Sequence, residues 1–141
     1  MRKSCLLILA VFPAALPMAG CSTTDHARLQ GIWTGHEIGR EGSQCRVVIS
    51  ESRIEFRGDR AKDWYKGTFT LDGEPEPKQL DGLIQECAVA KYVGKIARSI
   101  YRLEDTTLTL AGNEPGVEQR PTSFEASRRA RVFVLTKQET P

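Results

Sequence analysis

Short stretches in which apolar and polar residues alternate, each ended by a turn, constrain the fold of this sequence most. Residues 65–72 and 107–110 alternate with a period of two, which is typical of a strand with one buried face. Glycine–aspartate pairs at 58–59 and 72–73 follow such stretches and favour tight turns. No window places apolar residues at the helical spacing of roughly 3.6 residues, so we expect few helices.

Two further stretches, 46–49 and 131–135, are continuous and rich in β-branched residues, which predicts strands that are covered on both faces or lie where the sheet closes. Residues 74–77 contain two prolines and predict a loop, because proline has no N–H for a central strand. Residues 85–91 are the expected place for one short helical turn. The predicted strands are 30–38, 44–50, 53–57, 63–71, 79–84, 90–103, 106–111, 121–126 and 131–137.

Eight or nine short strands joined by tight turns indicate an all-β fold, either an antiparallel barrel or a sandwich. Closure into a barrel removes exposed strand edges. An eight-stranded barrel is wide enough to be filled by side chains or to hold one small ligand. We therefore expect a small antiparallel barrel of about eight strands over residues 29–138.

A segment of different character precedes this domain. Arg2 and Lys3 are followed by an apolar run at 5–12 and then by prolines and small residues. A basic start, a short apolar run and a small-residue exit predict a secretory signal peptide over residues 1–20. Its uncharged part contains two prolines and is short for a helix that spans a membrane.

The end of this segment, Met18-Ala19-Gly20-Cys21, resembles the lipobox of bacterial lipoproteins. The resemblance implies that the Cys21 thiol receives a diacylglycerol, that the signal is cut before Cys21, and that the new amino group is acylated, with palmitate as a typical chain. Several acyl chains hold a protein firmly at a membrane. The alternative is an ordinary secreted protein with Cys21 as a free thiol.

The residues after Cys21 bear on the location of the protein. In Gram-negative lipoproteins an aspartate at the next position retains the protein in the inner membrane. Ser22 at this position implies a lipid-anchored protein of the outer membrane that faces the periplasm. Residues 21–28 are polar and without apolar periodicity, so we expect a lipidated cysteine followed by a flexible tether.

The charge balance excludes one class of partner. Without Arg2 and Lys3, 18 basic residues stand against 18 acidic ones. A domain with almost no net charge lacks the basic surface that binds nucleic acid, so we expect no nucleic-acid partner. The one basic cluster, at 128–131, is either a solvated loop or a contact for an anionic lipid or polymer surface.

Cys45 and Cys87 are the two cysteines within the predicted domain. An even pair in an exported protein favours a disulfide, and two separately buried thiols are the alternative. A zinc site that combines them with His36 lacks the closely spaced ligand pair that zinc sites have. We therefore expect a disulfide and no metal.

Gly31-Ile32-Trp33, on the first predicted strand, resembles the G-x-W signature of lipocalins. The resemblance implies that the Trp33 ring closes one end of the barrel. It also implies that a basic residue of the last strand, Arg131 or Lys137, lies across this ring in a cation–π contact.

A longer resemblance extends over residues 29–137. Its motifs are Leu29–Trp33, Gly67–Asp72, Pro77–Asp81, Ile100–Leu110 and Arg120–Phe124. Their succession resembles the uncharacterised lipocalin-like domain of the planctomycete type, several members of which carry lipoprotein signals. The resemblance implies a small β-barrel and, because the function of the family is unknown, no catalytic residues.

Motifs of catalysis are absent from the sequence. It contains no nucleophile elbow, no zinc-protease motif, no phosphate-binding glycine loop and no calcium-loop spacing. His36 has no indicated nucleophile or orienting acid. Four carboxylates are candidates for a glycosidase pair or for solvated charges, namely Glu55, Asp59, Asp63 and Glu104. We expect a protein that is not an enzyme and has no cofactor.

Two functions of different classes remain. The first is a lipid-tethered binding module whose barrel mouth accepts a small apolar or amphipathic molecule in a cavity of roughly 300 Å³ or more. The alternative is an envelope interaction or inhibitor module that binds another protein through its loops. A large exposed apolar patch or a projecting loop at 111–121 would indicate the alternative. The predicted ligand-lining residues are Tyr65, Phe69, Tyr92 and Tyr101.

Overall fold

Eight antiparallel strands pair in sequence order, and the last strand pairs with the first, so that the sheet closes into a barrel. The computed structural model describes residues 24–140. The predicted all-β fold class and the small antiparallel barrel are therefore confirmed. The elements are α1 (Asp25–Leu29), β1 (Gly31–Glu37), β2 (Cys45–Ser50), β3 (Arg53–Arg57), β4 (Trp64–Asp72), β5 (Lys78–Cys87), a 3₁₀ turn (Ala90–Tyr92), β6 (Ile96–Glu104), β7 (Thr107–Asn113) and β8 (Ala130–Lys137).

The strand predicted at 90–103 starts later than expected. Residues 90–92 form the 3₁₀ turn and β6 begins only at Ile96. Between them Gly94 has a φ of 82°, a left-handed conformation that glycine adopts readily and that interrupts an extended chain. β5 in turn runs on to Cys87, into the region where a helical turn was expected.

The strand predicted at 121–126 is absent, because β8 pairs with both β7 and β1 and the closed sheet offers no edge for a ninth strand. This part of the chain lies against the outside of the barrel instead. There Phe124 packs on a small cluster of outward-facing residues, namely Ile100, Ala111 and Val132.

The N-terminal predictions fall mostly beyond the described chain. The signal peptide at 1–20 and the lipidation site Cys21 lie outside the described residues. Residues 25–28, expected in the flexible tether, instead belong to α1, whose first turn is capped by the Thr24 hydroxyl accepting the Ala27 N–H at 3.3 Å. Within residues 24–140 no helix has the length and apolar character needed to cross a membrane.

The barrel has two distinct ends. Because neighbouring strands are antiparallel, the connections after β1, β3, β5 and β7 lie at one end, which we call the open end. The connections after β2, β4 and β6 lie at the other. Helix α1 precedes β1 at this second end, which we call the closed end.

Helix α1 plugs the closed end. Leu29 and Trp33 are completely buried, and Trp33 Nε1 donates a hydrogen bond of 2.8 Å to the Leu29 carbonyl. Lys137 Nζ donates to the Arg28 carbonyl at 2.8 Å and lies 5.4 Å from the centroid of the Trp33 ring. Of the two basic residues proposed to lie across Trp33, Lys137 occupies that position. Arg131 does not, because it lies toward the open end of β8.

A half-buried carboxylate fixes α1 to the barrel wall. Asp25 Oδ2 accepts hydrogen bonds from Lys78 Nζ at 2.7 Å and from the Tyr101 hydroxyl at 2.9 Å. The hydrogen bond from Lys78 lowers the pKa of Asp25, so the carboxylate remains charged at neutral pH. Burial, together with Asp25, raises the pKa of Tyr101, so its hydroxyl remains a donor.

The interior of the closed end is packed solid. Its buried side chains come from α1 and from most of the strands and form one contiguous cluster. Close packing of this kind leaves little room for a ligand. The members at the closed end are Leu29, Trp33, Ile49, Phe69, Tyr101, Leu108 and Leu135, and the cluster continues toward the open end through Val47, Leu80 and Cys45.

The predicted disulfide is wrong, since Cys45 and Cys87 are both free thiols. Cys45 lies on β2 and Cys87 on β5, with β3 and β4 between them. Neighbouring strands are about 4.8 Å apart, whereas a disulfide needs Cα atoms within about 7 Å of each other. Burial raises the pKa of the Cys45 thiol to about 11, which keeps it protonated.

We expect Asp25→Ala to lower the free energy of unfolding at pH 7 by about 2 kcal/mol, because the buried Tyr101 hydroxyl loses its acceptor. The pKa of Asp25 is lowered in the folded protein, so its contribution is present above its unfolded pKa near about 3.9 and is lost as pH falls through the folded value. Urea unfolding of the variant and the parent at pH 7 and in acid, below the folded pKa of Asp25, measures the difference in the free energy of unfolding.

The matched control is Tyr101→Phe, which removes the hydroxyl together with its need for an acceptor. It should lower the free energy of unfolding by less than Asp25→Ala does. Equal stability of Asp25→Ala and the parent at pH 7, or a difference that persists undiminished in acid, would contradict the role given to Asp25.

Candidate functional site

The half of the barrel toward the open end is hollow. A cavity of about 380 Å³ lies there, lined by side chains of β2 to β8. This volume lies in the range of small-molecule sites, which begins at about 300 Å³. The apolar wall residues are Val47, Ile54, Phe56, Leu80, Ile84, Leu110 and Phe133.

The hollow arises from the sizes of inward-facing residues on β6 and β7. Because strand residues alternate between faces, Ala97 and Ser99 face inward on β6 together with Tyr101. Ala97 and Ser99 line the cavity, and so does Gly112, the cross-strand partner of Ser99 on β7. Large side chains such as Tyr101 fill the closed end, while these small ones leave the other half empty.

Aromatic rings form a connected series along the cavity wall. The Phe56 ring lies 5.0 Å from that of Phe133 and 6.0 Å from that of Tyr65, centroid to centroid. The Tyr65 ring in turn lies 6.3 Å from the ring of Tyr92 at the open end. Tilted rings at such distances stabilise one another and give the cavity a rigid apolar side.

The structure places two of the four predicted ligand-lining residues at the cavity and two in the packed closed end. Tyr65 and Tyr92 line the cavity. Phe69 and Tyr101 belong to the packed cluster of the closed end. Phe69 follows Tyr65 by four residues on β4, which runs toward the closed end, so its ring lies below the hollow. The Tyr101 hydroxyl is held by Asp25.

One charged side chain projects inward from β8 toward the cavity. Arg131 Nε and Nη2 donate to the two Glu37 carboxylate oxygens at 2.9 and 2.8 Å. Its Nη1 and Nη2 donate to the two Asp63 oxygens at 2.9 and 2.8 Å. Four of the five N–H donors of a guanidinium are thereby used in two bidentate pairs, the strongest form of such contacts.

These three residues extend into a larger ionic network. Arg40 donates to Glu37 at 2.9 Å and to both oxygens of Asp59 at 3.1 Å. We call Arg40, Arg131, Glu37, Asp59 and Asp63 the arginine array. It holds three carboxylates and two guanidinium groups and joins β1, β8 and the connections after β1 and β3.

The electrostatics of the arginine array favour its charged state. The hydrogen bond from Arg131 lowers the pKa of Glu37, although Glu37 is only 8% exposed. Burial opposes the charge of Arg131, but the hydrogen bonds to Glu37 and Asp63 outweigh it, so its pKa is raised. The Arg131 guanidinium carbon also lies 4.9 Å from the Phe133 ring centroid, a favourable cation–π distance.

A contact bridges two connections at the open end. The Tyr92 hydroxyl donates to the Glu114 carboxylate, which also accepts from Lys91 Nζ at 3.1 Å. Tyr92 ends the 3₁₀ turn after β5, and Glu114 directly follows β7. The contact therefore fixes the Tyr92 ring beside the cavity.

Four further cations lie at the open end, and we call them the rim cations. Arg128 and Arg129 line the cavity. Arg60 and Lys62 line a neighbouring pocket of about 320 Å³, together with four members of the arginine array, namely Glu37, Arg40, Asp63 and Arg131. Among residues 24–140, none of the four makes an ion pair within 4.0 Å.

The structure brings two of the candidate catalytic residues, Asp59 and Asp63, into the arginine array and places the others apart. His36 is exposed on β1. Glu55 pairs in register with Lys66 on the outer face of the barrel, Glu104 ends β6 at the closed end, and Asp59 and Asp63 belong to the arginine array. In the described part of the chain no group of three histidine, cysteine or acidic side chains is placed to hold a metal ion.

The long connection between β7 and β8 lies against the barrel rather than projecting from it. Arg120 Nη1 donates to Asp81 at 2.6 Å and to the Ser99 carbonyl at 2.8 Å. The Arg102 guanidinium lies 4.7 Å from the centroid of the Phe124 ring. Both contacts hold residues 120–124 to the outer wall.

Sequence reasoning missed the arginine array. The sequence singles out Asp59 and Asp63, as candidates for a catalytic pair or as solvated charges, but not Glu37. It places Arg131 either across the Trp33 ring or in the basic cluster at 128–131. The alternation on β8 does place Arg131 on the same face as Phe133 and Leu135, which is a signal that it points inward. Its partners come from β1 and the connection after β3, and only the closed topology reveals them.

Comparisons with known proteins assign no relative. No protein-family model matches the chain, and no curated protein or solved structure gives a significant match. The site therefore has to be interpreted from its own geometry.

We expect Arg131→Met to lower the free energy of unfolding by about 3 kcal/mol at pH 7, because the partly buried Asp63 loses both hydrogen bonds from its cation and the buried Glu37 keeps only Arg40. The hydrogen bond from Arg131 lowers the pKa of Glu37, so this pKa rises in the variant, and the destabilisation shrinks as pH falls toward about 4. Urea unfolding of the variant and the parent at the two pH values measures both effects.

The matched control is the triple variant R131M/E37Q/D63N, which removes all three charges and should recover most of the lost stability. A loss that is the same at both pH values, or a triple variant that is no more stable than R131M, would contradict the electrostatic interpretation.

Proposed function

We propose that this protein is a lipocalin-like binding module that holds one small apolar or amphipathic ligand in the barrel. The observation that carries the proposal is the cavity of about 380 Å³ with apolar and aromatic walls in the half toward the open end. Each Å² of apolar surface that a ligand buries there contributes about 25 cal/mol. A ligand that fills the cavity therefore gains its affinity mainly from burial.

The few polar groups of the wall suit a ligand with one polar end. The Ser99 hydroxyl borders the cavity, and so does the Tyr65 hydroxyl, whose pKa is raised by burial so that it stays a hydrogen-bond donor. Arg131 retains one N–H donor beyond its four bonds to Glu37 and Asp63. These groups can orient a ligand while the rings of Phe56 and Phe133 bind its apolar part.

The alternative of an interaction or inhibitor module has one observation in its favour. Leu83, Val93 and Ile96 are exposed, and Leu83 and Ile96 are cross-strand neighbours. The β7–β8 connection, which was expected to project if the protein acted through its loops, lies against the barrel wall instead. The cavity therefore supports ligand binding better than loop-mediated inhibition.

The proposal includes an N-terminal lipid anchor on Cys21 in the outer membrane. Three peptide bonds link Cys21 to Thr24, a reach of at most about 11 Å. Because α1 begins at Asp25 and lies at the closed end, an anchor at Cys21 would hold the closed end near the membrane. The open end would then face the periplasm, from which a ligand would enter.

We expect Ala97→Phe to weaken the binding of a neutral apolar probe at least about tenfold, because the new ring occupies the cavity that Ala97 lines. Fluorescence titration with N-phenyl-1-naphthylamine measures the binding. The melting temperature of the variant should not fall, since the ring fills empty apolar space.

The matched control for this substitution is Ala126→Phe, which adds the same ring at an exposed position of the β7–β8 connection. It should bind the probe as the parent does. Equal binding by both variants would place the probe outside the cavity and would contradict the proposed function.

We expect the mature protein to begin at Cys21 and to carry covalently attached acyl chains. Intact-mass spectrometry of the protein extracted from envelopes measures the added mass, and Cys21→Ser should abolish both the cleavage and the added mass. An unmodified mature terminus would contradict the anchor and leave ligand binding to be judged on its own test.

A further inference from the structure

The charges at the open end point to one class of ligand. We propose that the cavity takes a single-chain amphiphile with an anionic head, a carboxylate or a phosphate. Its chain lies among the apolar wall residues and its head is held by the rim cations. This inference rests on the proposed function, which by itself requires a ligand of no particular charge.

The rim cations are free to bind an anion. Arg128 and Arg129 border the cavity, while Arg60 and Lys62 border the adjoining polar pocket. Within the described part of the chain these four side chains have no carboxylate within ion-pair distance. The acid nearest the cavity opening, Glu114, is already engaged by Tyr92 and Lys91.

The concentration of cations at the open end is a local feature rather than a consequence of overall charge. Residues 21–141 hold equal numbers of basic and acidic residues. Cations gathered around an opening with low-dielectric walls focus a positive potential there. A positive potential at the opening attracts anions to the cavity.

The arginine array determines how deep the head can lie. With three carboxylates against two guanidinium groups it is net negative, and Arg131 has already placed four donors on Glu37 and Asp63. An anionic head beside Arg131 would meet two carboxylates at close range. The head therefore lies nearer to the opening than the arginine array does, at the rim cations. The chain lies deeper in the cavity, toward the closed end.

The same array disfavours a cationic head. All four carboxylate oxygens of Glu37 and Asp63 accept hydrogen bonds from Arg131. A cation that approached them would have to displace a doubly bidentate guanidinium. Asp59 likewise accepts from Arg40, so each carboxylate of the array already faces a guanidinium group that would repel such a ligand.

The size of the cavity sets the number of chains. Its volume of about 380 Å³ lies near the lower limit of the range from about 300 to 1,000 Å³ for small-molecule sites. Tyr92, held by Glu114, further narrows the opening. One acyl chain fits such a space, and two chains side by side do not.

Calorimetric titration of the purified full chain with decanoate, decyl phosphate, decanol and decylamine tests the head-group preference at constant chain length. We expect the two anions to bind about tenfold more tightly than decanol, because several exposed cations each add a modest attraction. Added salt should weaken the binding of the two anions until their affinity approaches that of decanol. It should leave the affinity for decanol unchanged. Decylamine should bind most weakly.

Two double variants locate the head. R128A/R129A and R60A/K62A should each reduce the preference for decanoate over decanol about threefold and leave decanol binding intact. The matched control is R46A/R57A, which removes the same charge from exposed cross-strand partners on the outer face of the barrel. It should leave the preference unchanged.

The outcomes separate this inference from the proposed function. If none of the four compounds binds, the proposed function itself fails. If decanol binds as tightly as decanoate, or decylamine binds most tightly, ligand binding stands and the anionic head is refuted. An equal loss of preference in all three double variants refutes the rim as the head site.

Discussion

The architecture depends on one constraint, the fixed inner space of a closed eight-stranded sheet. Once β8 has paired with β1, the circumference is set, and the volumes of inward residues decide whether the interior is solid or hollow. Tyr101 and Trp33 fill the closed end, where α1 seals it. Ala97 and Ser99 are too small to fill the other half, and the cavity follows from their size.

Polar networks hold each end in shape. At the closed end Asp25 binds Tyr101 and Lys78, which keeps the helical plug in place. At the other end the arginine array ties β1 to β8 and to the connection after β3. A hollow half-barrel lacks the apolar packing that would otherwise hold its walls, and bidentate ion pairs supply a directional substitute.

Alternation and turn residues predicted most of the strands and the barrel, because these are local signals with a period of two. They could not predict what depends on closure. The stretch at 121–126 has strand-like composition, yet no free edge remained for it to pair with. The disulfide failed for a similar reason, since two strands separate Cys45 from Cys87. Two of the four predicted lining residues, Phe69 and Tyr101, lie in the packed cluster of the closed end instead of the cavity. Alternation predicts which face of the sheet a residue such as Phe69 occupies, but not its position along the barrel axis.

The most direct test of a ligand site in the open half is a methyl NMR titration of the full chain with neutral decanol. If the ligand lies in the open half, we expect shifts and ligand contacts at Ile54, Ile84 and Leu110 of the cavity wall, with Leu29, Leu108 and Leu135 of the closed end unchanged. Shifts confined to Ile32 and Ile96, which are exposed and do not line the cavity, or no shifts at all, would contradict a ligand site in the open half.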